Sequence, residues 1–526
     1  MEFDINNYKI GIIGLGYVGL PMAISFGKKT TTIGFDINES RVKSLKNNHD
    51  KTGEVNENEI KKSNLLKITS DSDLLKLCNC YIVTVPTPID KNKKPDLNPL
   101  ISACNIISKY IKNKDIVIFE STVYPGCTEE VCIPIIENKS GLIFNLLIIN
   151  FLKKNKTPFY IYSENQIVSN YLNFVKTFKK TNPLICFAAK SNSNTNILRI
   201  LGKLGAGADV VSGGELLKAL KAGIKPKKIV FSGVGKSEDE LKIAINKKIL
   251  LINCESESEA KLVNKLAKNL RKKVSIGFRL NPNVDAKTHK NISTGKADNK
   301  FGLSIKNFKS FIREINKFKN IKLEALSVHI GSQILNDGPF KKTLNVMNKL
   351  IKELKLNLKY VDLGGGFGIN YSDSEKPINL NSYAKLVNNF ATKLNCKIIF
   401  EPGRSIIGDT GLLISKVQFI KKGVNKNFII LDAGMNDFMR PALYDAFHKI
   451  IPITKNSSKM KSTIEFVGPI CESTCKFGVY RKYQKLIEND FVAITNVGAY
   501  GSSLSSNYNT RPLIAEILID KNKFKY

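Results

Sequence analysis

The chain has 526 residues, 42% of them hydrophobic and 24% charged, which is soluble globular material long enough for several domains and more than one buried core. Its formal charge of +35 invites a nucleic-acid reading. However, only nine of the 81 basic residues are Arg, the Lys are scattered beside many Asn, and no RRM, helix-turn-helix or zinc-finger spacing accompanies them, so a compositional bias is preferred to a nucleic-acid partner.

The start, MEFDINNYKIGIIG, lacks the basic region and cleavable apolar core of a signal peptide. Ten Cys at irregular spacings in so long a chain point to a reducing, cytoplasmic setting. Cys78 and Cys80 form the one tight pair; without further ligands they read as small apolar residues, and no metal is expected. The longest apolar stretch, Leu142 to Leu152, is broken by Asn145 and Asn150. It falls short of the ~20 residues of a membrane span, so no membrane partner is expected.

From Lys9 to Phe144, short apolar runs alternate with helical stretches, and KIGIIGLG, TTIGFD, CYIVTVP and DIVIFEST read as buried parallel strands. Gly14, Gly16 and Gly19 follow the first strand, where glycines permit a tight turn and close approach of a pyrophosphate to a helix N-terminus. Asp36 ends the second strand, about twenty residues on, placed to accept from ribose hydroxyls. These features predict a Rossmann-type, doubly wound domain over residues 1–145.

A second alternating region runs from Pro158 to about Gly408: FYIYS, LICFAAK, ADVVS, KIVFSG, ILLINCES, VSIGFRLN, EALSVHIGS, YVDLGGG and KIIFEPG. Amphipathic Lys-rich helices such as Ser258 to Leu270 lie between them. About eight βα units in ~250 residues suit a closed (β/α)₈ barrel, assigned to residues 146–408. Beyond Gly408, LLISKVQFI, FIILDAG, TIEFVGPI, DFVAITNV and IAEILI predict a smaller β domain over residues 409–526.

Longer strings in the first region sharpen its reading. GLGYVGLP, GFDIN followed by Arg41, VTVPTPID and ESTVYPGCTEE together resemble the UDP-sugar 6-dehydrogenases. The resemblance implies NAD contacts from Gly14, Gly16, Gly19, Asp36 and Arg41, with Glu120, Ser121 and Thr122 close to the nicotinamide. It stops near Asn145. In that family a strand carrying a catalytic Glu, then a Lys, an Asn and a thiol nucleophile follow, and a C-terminal domain binds the nucleotide sugar. Here GLIFN runs into different sequence, and no later Cys lies in a matching context. Oxidising an alcohol twice through a thiohemiacetal needs that thiol, so the expectation is a remnant without dehydrogenase activity, either still binding NAD or a passive appendage.

The second region offers the parts of a pyridoxal-phosphate (PLP) site: a Schiff-base lysine, a phosphate cradle and a partner for the pyridine nitrogen. Lys190 ends an apolar strand, on the face where barrels carry active sites. Gly364, Gly365 and Gly366 follow KYVDL, and taken alone they suit a plain tight turn as well as a phosphate nest. Glu401, Pro402, Gly403 and Arg404 follow KIIF, where a carboxylate could keep a pyridine nitrogen protonated. His329, one of four His, alone fits a structural role as well as a catalytic one.

In order along the chain, TPFYIYS, AAKSNSN, GADVVSGGEL, RLNPNVDAKTHKNISTG, HIGSQI, DLGGGFGI, EPGRSI, MRPALYDA, GPICES and GAYGSSLSSNYNTRP resemble the diaminopimelate decarboxylases. The resemblance implies an alanine-racemase-like barrel with a C-terminal β domain, and conversion of meso-diaminopimelate to lysine, the last step of lysine biosynthesis. It implies that Lys190 carries PLP, that His329 stacks on its ring, and that Glu401 faces the pyridine nitrogen. Ser332, Gly364 to Gly366, Pro402, Gly403, Arg404 and Tyr500 complete the PLP site, and Cys471 is the acid that protonates the carbanionic centre. Arg404 and Arg440 suit the substrate's distal carboxylate as bidentate donors, with Tyr444 and Tyr500 beside them and Glu472 on the distal amine. Cys471 and Glu472 would reach into a neighbouring subunit's barrel, so a homodimer with shared sites is implied.

Three departures stand out: Ser191 where the family has Ala, Cys475 where a carboxylate usually anchors the Cys471 loop, and fusion in place of a short strand ahead of TPFYIYS. Competing readings are an ornithine or arginine decarboxylase, an NAD-dependent UDP-sugar dehydrogenase, and a fusion in which the N-terminal unit binds nucleotide and regulates the decarboxylase. Two buried Arg left unpaired against a simple diamine would be costly, which argues against the first.

Overall fold

The computed structural model describes residues 8–88, 95–112, 115–121, 123, 127–140, 152, 155–286, 294–295, 299–372, 375, 378–453, 458–520 and 523–525. The chain divides into two compact units, Met1–Ile149 and Asn150–Tyr526.

In the first unit five parallel strands lie in the spatial order Leu66–Thr69, Thr32–Phe35, Ile10–Ile13, Cys80–Val83, Ile116–Phe119. The order reverses beside Ile10–Ile13, which opens a crevice at the C-terminal ends of the strands. Three of the strands, IGII, TIGF and CYIV, are buried at every position, the condition that makes a parallel strand read as a continuous apolar run. LKIT at 66–69 is only partly buried, and the sequence does not mark it as a strand.

In the larger unit eight parallel strands close into a barrel: Leu184–Ala188, Gly207–Val210, Ile229–Phe231, Leu251–Cys254, Val274–Asn281, Ile321–Val328, Tyr360–Asp362 and Lys397–Phe400. Each pairs with the next, and the last pairs with the first. The outer helices bury one stripe each; Glu257–Asn269 turns Ala260, Val263, Leu266 and Ala267 inward, at helical spacing. Three of them start directly beyond strand ends on Ser212, Ser237 and Ser256, whose side chains accept from the N–H three residues on. Such a cap satisfies orphan donors of the first turn and fixes where the strand-to-helix loop ends.

The remaining strands form a sheet built around Gly411–Lys421, which pairs with Asn427–Leu431, Phe491–Thr495 and Phe159–Ser163. FYIYS therefore corrects the reading from sequence. It does not open the barrel but runs antiparallel to Gly411–Lys421 and parallel to Ala515–Asp520 in the β domain. Phe159 to Tyr162 are all buried, and a strand covered on both faces reads alike in a barrel or an open sheet. Its tyrosines are tied into this domain, Tyr160 donating to the Asp437 carbonyl at 2.6 Å and Tyr162 to Glu516 at 2.7 Å. The short strand that the family carries ahead of it, read from sequence as replaced by the fusion, would fall largely on residues 141–151 and 153–154, outside the described residues. Among the described residues, no helix is long and apolar enough to cross a membrane.

Candidate functional site

The C-terminal ends of the barrel strands gather a group of buried charges. Lys190 leaves the first strand in a short turn and its Nζ lies 3.1 Å from Asp209 at the end of the second. Burial works against the ammonium, but the carboxylates of Asp209 and then Glu401 outweigh it and hold its pKa above the ordinary lysine value. Asp209 is fully buried and its second oxygen has no partner. Glu401, at the end of the last strand, is pushed well above the usual carboxylate range by burial and by Asp209 and Asp362. Asp362 accepts from Asn253 Nδ2 and from the Gly364 N–H, each at 3.0 Å, and burial pushes it up to about 6 against those bonds. Lys190, Glu401, His329, Ser232 and Arg279 line one cavity of about 390 Å³.

Three turns converge beside it. A Cβ on Gly365 would stand 2.1 Å from the Glu401 carbonyl, and one on Gly366 2.4 Å from the Gly331 carbonyl, so only glycine lets the turn pass between its neighbours. Gly364 and Gly366 also take φ of +63° and +97°. Gly365 N–H donates to His329 Nδ1 at 3.2 Å, which leaves Nε2 to carry the ring proton. Burial, then the Lys190 and Arg279 charges, hold the imidazole well below its ordinary pKa, so it is neutral. The Pro402 carbonyl accepts from Ala188 N–H at 3.1 Å, and a Cβ on Gly403 would meet Ser191 at 2.9 Å. Ser191 is fully buried and donates to the Ala188 carbonyl at 2.7 Å, so the departure at this position leaves no unsatisfied hydroxyl.

A second cavity of about 400 Å³ is lined by Gln333, Tyr371, Arg404, Arg440, Tyr444 and neighbours. Arg404 Nη2 donates to Ser332 at 3.0 Å, and its guanidinium sits 5.0 Å above the Tyr500 ring. Tyr500 takes φ of +57° and is held there by its N–H on the Ser191 carbonyl at 2.7 Å. A non-glycine residue in the left-handed region needs such fixing. Arg404 Nε and Arg440 Nε and Nη1 are buried without hydrogen-bond partners. Both guanidiniums are nearly enclosed, and such donors call for an anion.

Cys471 and Glu472 are not brought to either cavity. Both are exposed on a loop of the β domain, where Glu472 accepts from Tyr508 at 2.9 Å. Cys475, expected to loosen this loop, is buried; its Sγ accepts from Met435 N–H at 3.3 Å and its carbonyl from Gly468 N–H at 2.9 Å. Asp209, Asp362, Asn253, Arg279 and Tyr371 were not singled out from sequence. The available signal for the two acids was a carboxylate closing an apolar strand, in GADVV and in YVDL.

In the smaller unit Gly14 takes φ of +97°, Gly16 faces open space, and a Cβ on Gly19 would fall 1.8 Å from the Gly14 carbonyl. These are the tight turn, the close approach and the helix-to-strand packing that a dinucleotide loop needs. Asp36 accepts from Leu15 N–H at 2.8 Å and Asn38 N–H at 2.9 Å, so it also braces the loop. Arg41 pairs with Asp50 at 2.7 Å and donates to the Leu15 carbonyl at 3.0 Å. Gly14, Gly16, Asp36 and Arg41 line a cavity of about 500 Å³. Thr122 lies outside the described residues.

Residues 164–408 match the pyridoxal-binding domain of pyridoxal-dependent decarboxylases, and residues 8–168 match the NAD-binding domain of the UDP-glucose/GDP-mannose dehydrogenase family. A diaminopimelate decarboxylase of Aquifex aeolicus is 42% identical over 372 residues, covering 70% of this chain and 88% of that protein. One of Helicobacter pylori is 44% identical over 373 residues, covering 70% and 92%. The crystal structure of the Helicobacter pylori enzyme complexed with L-lysine superposes with a TM-score of 0.69 at 42% identity, covering 72% of this chain and 95% of that one.

The buried Asp362 sets a pH dependence. An acid whose folded pKa of about 6 exceeds its ordinary 3.8 binds more protons folded than unfolded in that interval, so it lowers stability as pH rises across it. Asp362→Asn should remove that slope, narrowing the stability difference between pH 4 and pH 6.5 by on the order of 1–3 kcal/mol in urea titrations. Parallel pH profiles for variant and wild type would contradict the assignment.

Proposed function

The chain belongs, through its larger unit, to the diaminopimelate decarboxylases, and from that membership we propose how its residues remove a carboxylate from meso-diaminopimelate to leave L-lysine and carbon dioxide. The observation that carries the residue assignment is the excess of buried carboxylate around Lys190. Asp209 pairs with Lys190 at 3.1 Å, Glu401 also acts on that ammonium, Asp362 lies buried against Glu401, and one Asp209 oxygen is orphaned. A positively charged ring nitrogen is the partner such a pocket lacks, and backbone N–H groups at the glycine turn suit a phosphate. The donor set therefore fits pyridoxal phosphate. When bound, the cofactor supplies an electron sink for the pair left as carbon dioxide departs.

Each residue then has a definable task. Lys190 is the covalent anchor, its amine kept in place by Asp209. Burial and the neighbouring carboxylates hold a proton on Glu401, and a cation facing it would favour its release. His329 presents a neutral ring face, oriented by the Gly365 N–H. Ser332, the Gly364–Gly366 and Glu401–Arg404 turns and Tyr500 would hold the phosphate when the cofactor is bound. Arg404 and Arg440, enclosed beside Tyr444, receive the distal carboxylate in a fork geometry. This arrangement is wasted on ornithine, which has no distal carboxylate, and leaving two guanidiniums buried and unpaired would cost several kcal/mol.

Cys471 delivers the proton to the carbon that has lost its carboxylate, and Glu472 takes the distal amine, both from a second subunit. What supports the shared site is that this segment is exposed and turned away from its own chain's cavities. The smaller unit binds NAD without oxidising a sugar, since the loop geometry is intact and the thiol step has no residue. A cytoplasmic setting accords with ten cysteines of which none forms a disulfide among the described residues.

Two experiments test these readings. Wild-type protein with added pyridoxal phosphate should release lysine from meso-diaminopimelate, while Lys190→Ala and Cys471→Ala each release none. Subunits of the two variants, mixed and reassociated, should recover about a quarter of wild-type activity, because half the dimers then hold one intact site. No lysine from the wild type would overturn the function, and no recovery on mixing would overturn the shared site. In calorimetry on the full chain, NAD should bind and Asp36→Ala should abolish binding, with no NADH formed when UDP-glucose is added. Absence of NAD binding to the wild type would contradict the second reading.

A further inference from the structure

The two guanidiniums of the second cavity are like charges, nearly enclosed, and three of their N–H groups point at no acceptor. Left to themselves such groups separate or turn toward water. One side chain lies against both. The Tyr371 ring is 5.0 Å from the Arg440 guanidinium carbon and 5.7 Å from that of Arg404, and its hydroxyl accepts a hydrogen bond from Arg404 Nη1. The ring face carries the negative end of the aromatic quadrupole, so it attracts both cations.

Tyr371 is itself fixed from two sides. Its N–H donates to Glu375 at 2.8 Å, and the His448 ring meets it edge-on at 4.9 Å. His448 is buried, has Nδ1 2.9 Å from the Thr495 carbonyl, and burial followed by the Arg440 charge keeps it neutral with a pKa of about 3. A neutral ring behind the tyrosine adds no third positive charge to the pair. Tyr500 stacks on Arg404 but makes no ring contact with Arg440, so among the described residues Tyr371 is the ring that contacts both guanidiniums.

We propose that Tyr371 is a positioning residue that holds Arg404 and Arg440 as one preformed fork, and so determines selection for substrates with a distal carboxylate. This rests on the reading of the arginine pair as the distal-carboxylate site. Tyr371 touches neither Lys190 nor the cavity around it, so its effect belongs to substrate binding and not to bond breaking.

The test is steady-state kinetics on the holoenzyme with meso-diaminopimelate, alongside inhibition by pimelate, a dicarboxylate of the same chain length without amines. Tyr371→Leu, which loses ring and hydroxyl, should raise KM and the pimelate inhibition constant in parallel by roughly tenfold or more, with kcat within about threefold. Tyr371→Phe keeps the ring and should show a smaller rise, about threefold. The cofactor absorbance should be unchanged in both. Arg440→Leu serves as the reference for loss of the carboxylate site. If Arg440→Leu raises KM while both Tyr371 variants keep it within about twofold, the fork holds itself and the proposal falls. If Arg440→Leu leaves KM unchanged, the carboxylate reading and this inference fall together. Loss of kcat and of cofactor absorbance in Tyr371→Phe would make the residue a general support of the barrel and would also overturn it.

Discussion

Asp362 and Glu401 are buried at the ends of adjacent barrel strands, Asp209 is buried on the far side of the strand that leads to Lys190, and the Lys190 ammonium is set against Asp209 at 3.1 Å. Burying that much carboxylate in a low-dielectric interior is unfavourable unless protons or cations compensate it. In this chain both means are used: Lys190 is held charged, while Glu401 and Asp362 are pushed toward their protonated forms. The surrounding architecture serves that arrangement. Asn253 and the Gly364 N–H satisfy Asp362, the Gly364–Gly366 turn threads between two other loops, and its Gly365 N–H sets the orientation of His329. A group that ties up so many neighbours makes sense as a poised receptor for a cationic ring, and poorly as a device for stability.

The second cavity has the opposite sign and the same logic. Two enclosed guanidiniums with orphaned donors await an anion, and Tyr371 and Tyr500 supply aromatic faces that make the wait tolerable. Negative excess at one cavity and positive excess at the other describe a substrate and cofactor pair that must present charges of both signs. On the proposed assignment the distal carboxylate of diaminopimelate would meet the second cavity, and a diamine brings no such group.

Much of the fold was legible because buried parallel strands read as short apolar runs separated by helical stretches, as LICFAAK, KIVFSG and KIIFEPG do here. FYIYS was misplaced for the same reason, since burial on both faces erases the alternation that would have identified an antiparallel sheet. The Leu66–Thr69 strand was invisible because it is short and half exposed. The structure places Lys190, His329 and Glu401 at one cavity and Arg404, Arg440 and Tyr444 at another. Tyr371 escaped because it works through Arg404, at a sequence separation no local pattern reports, and Asp362 because its one local mark, a carboxylate closing an apolar strand, does not by itself single it out. Cys471 and Glu472 were legible only through family resemblance, and nothing in their local setting would have selected an exposed thiol on a loop.

The central claim is that Lys190, out of the 72 lysines of this chain, is the one that reacts with the cofactor. The direct measurement is borohydride reduction of the protein saturated with pyridoxal phosphate, followed by peptide mass mapping. The account predicts one pyridoxyl group per chain, on Lys190, with protection when Lys190 is replaced by Ala. Label spread over several surface lysines, or concentrated on another residue while Lys190 stays unmodified, would contradict it.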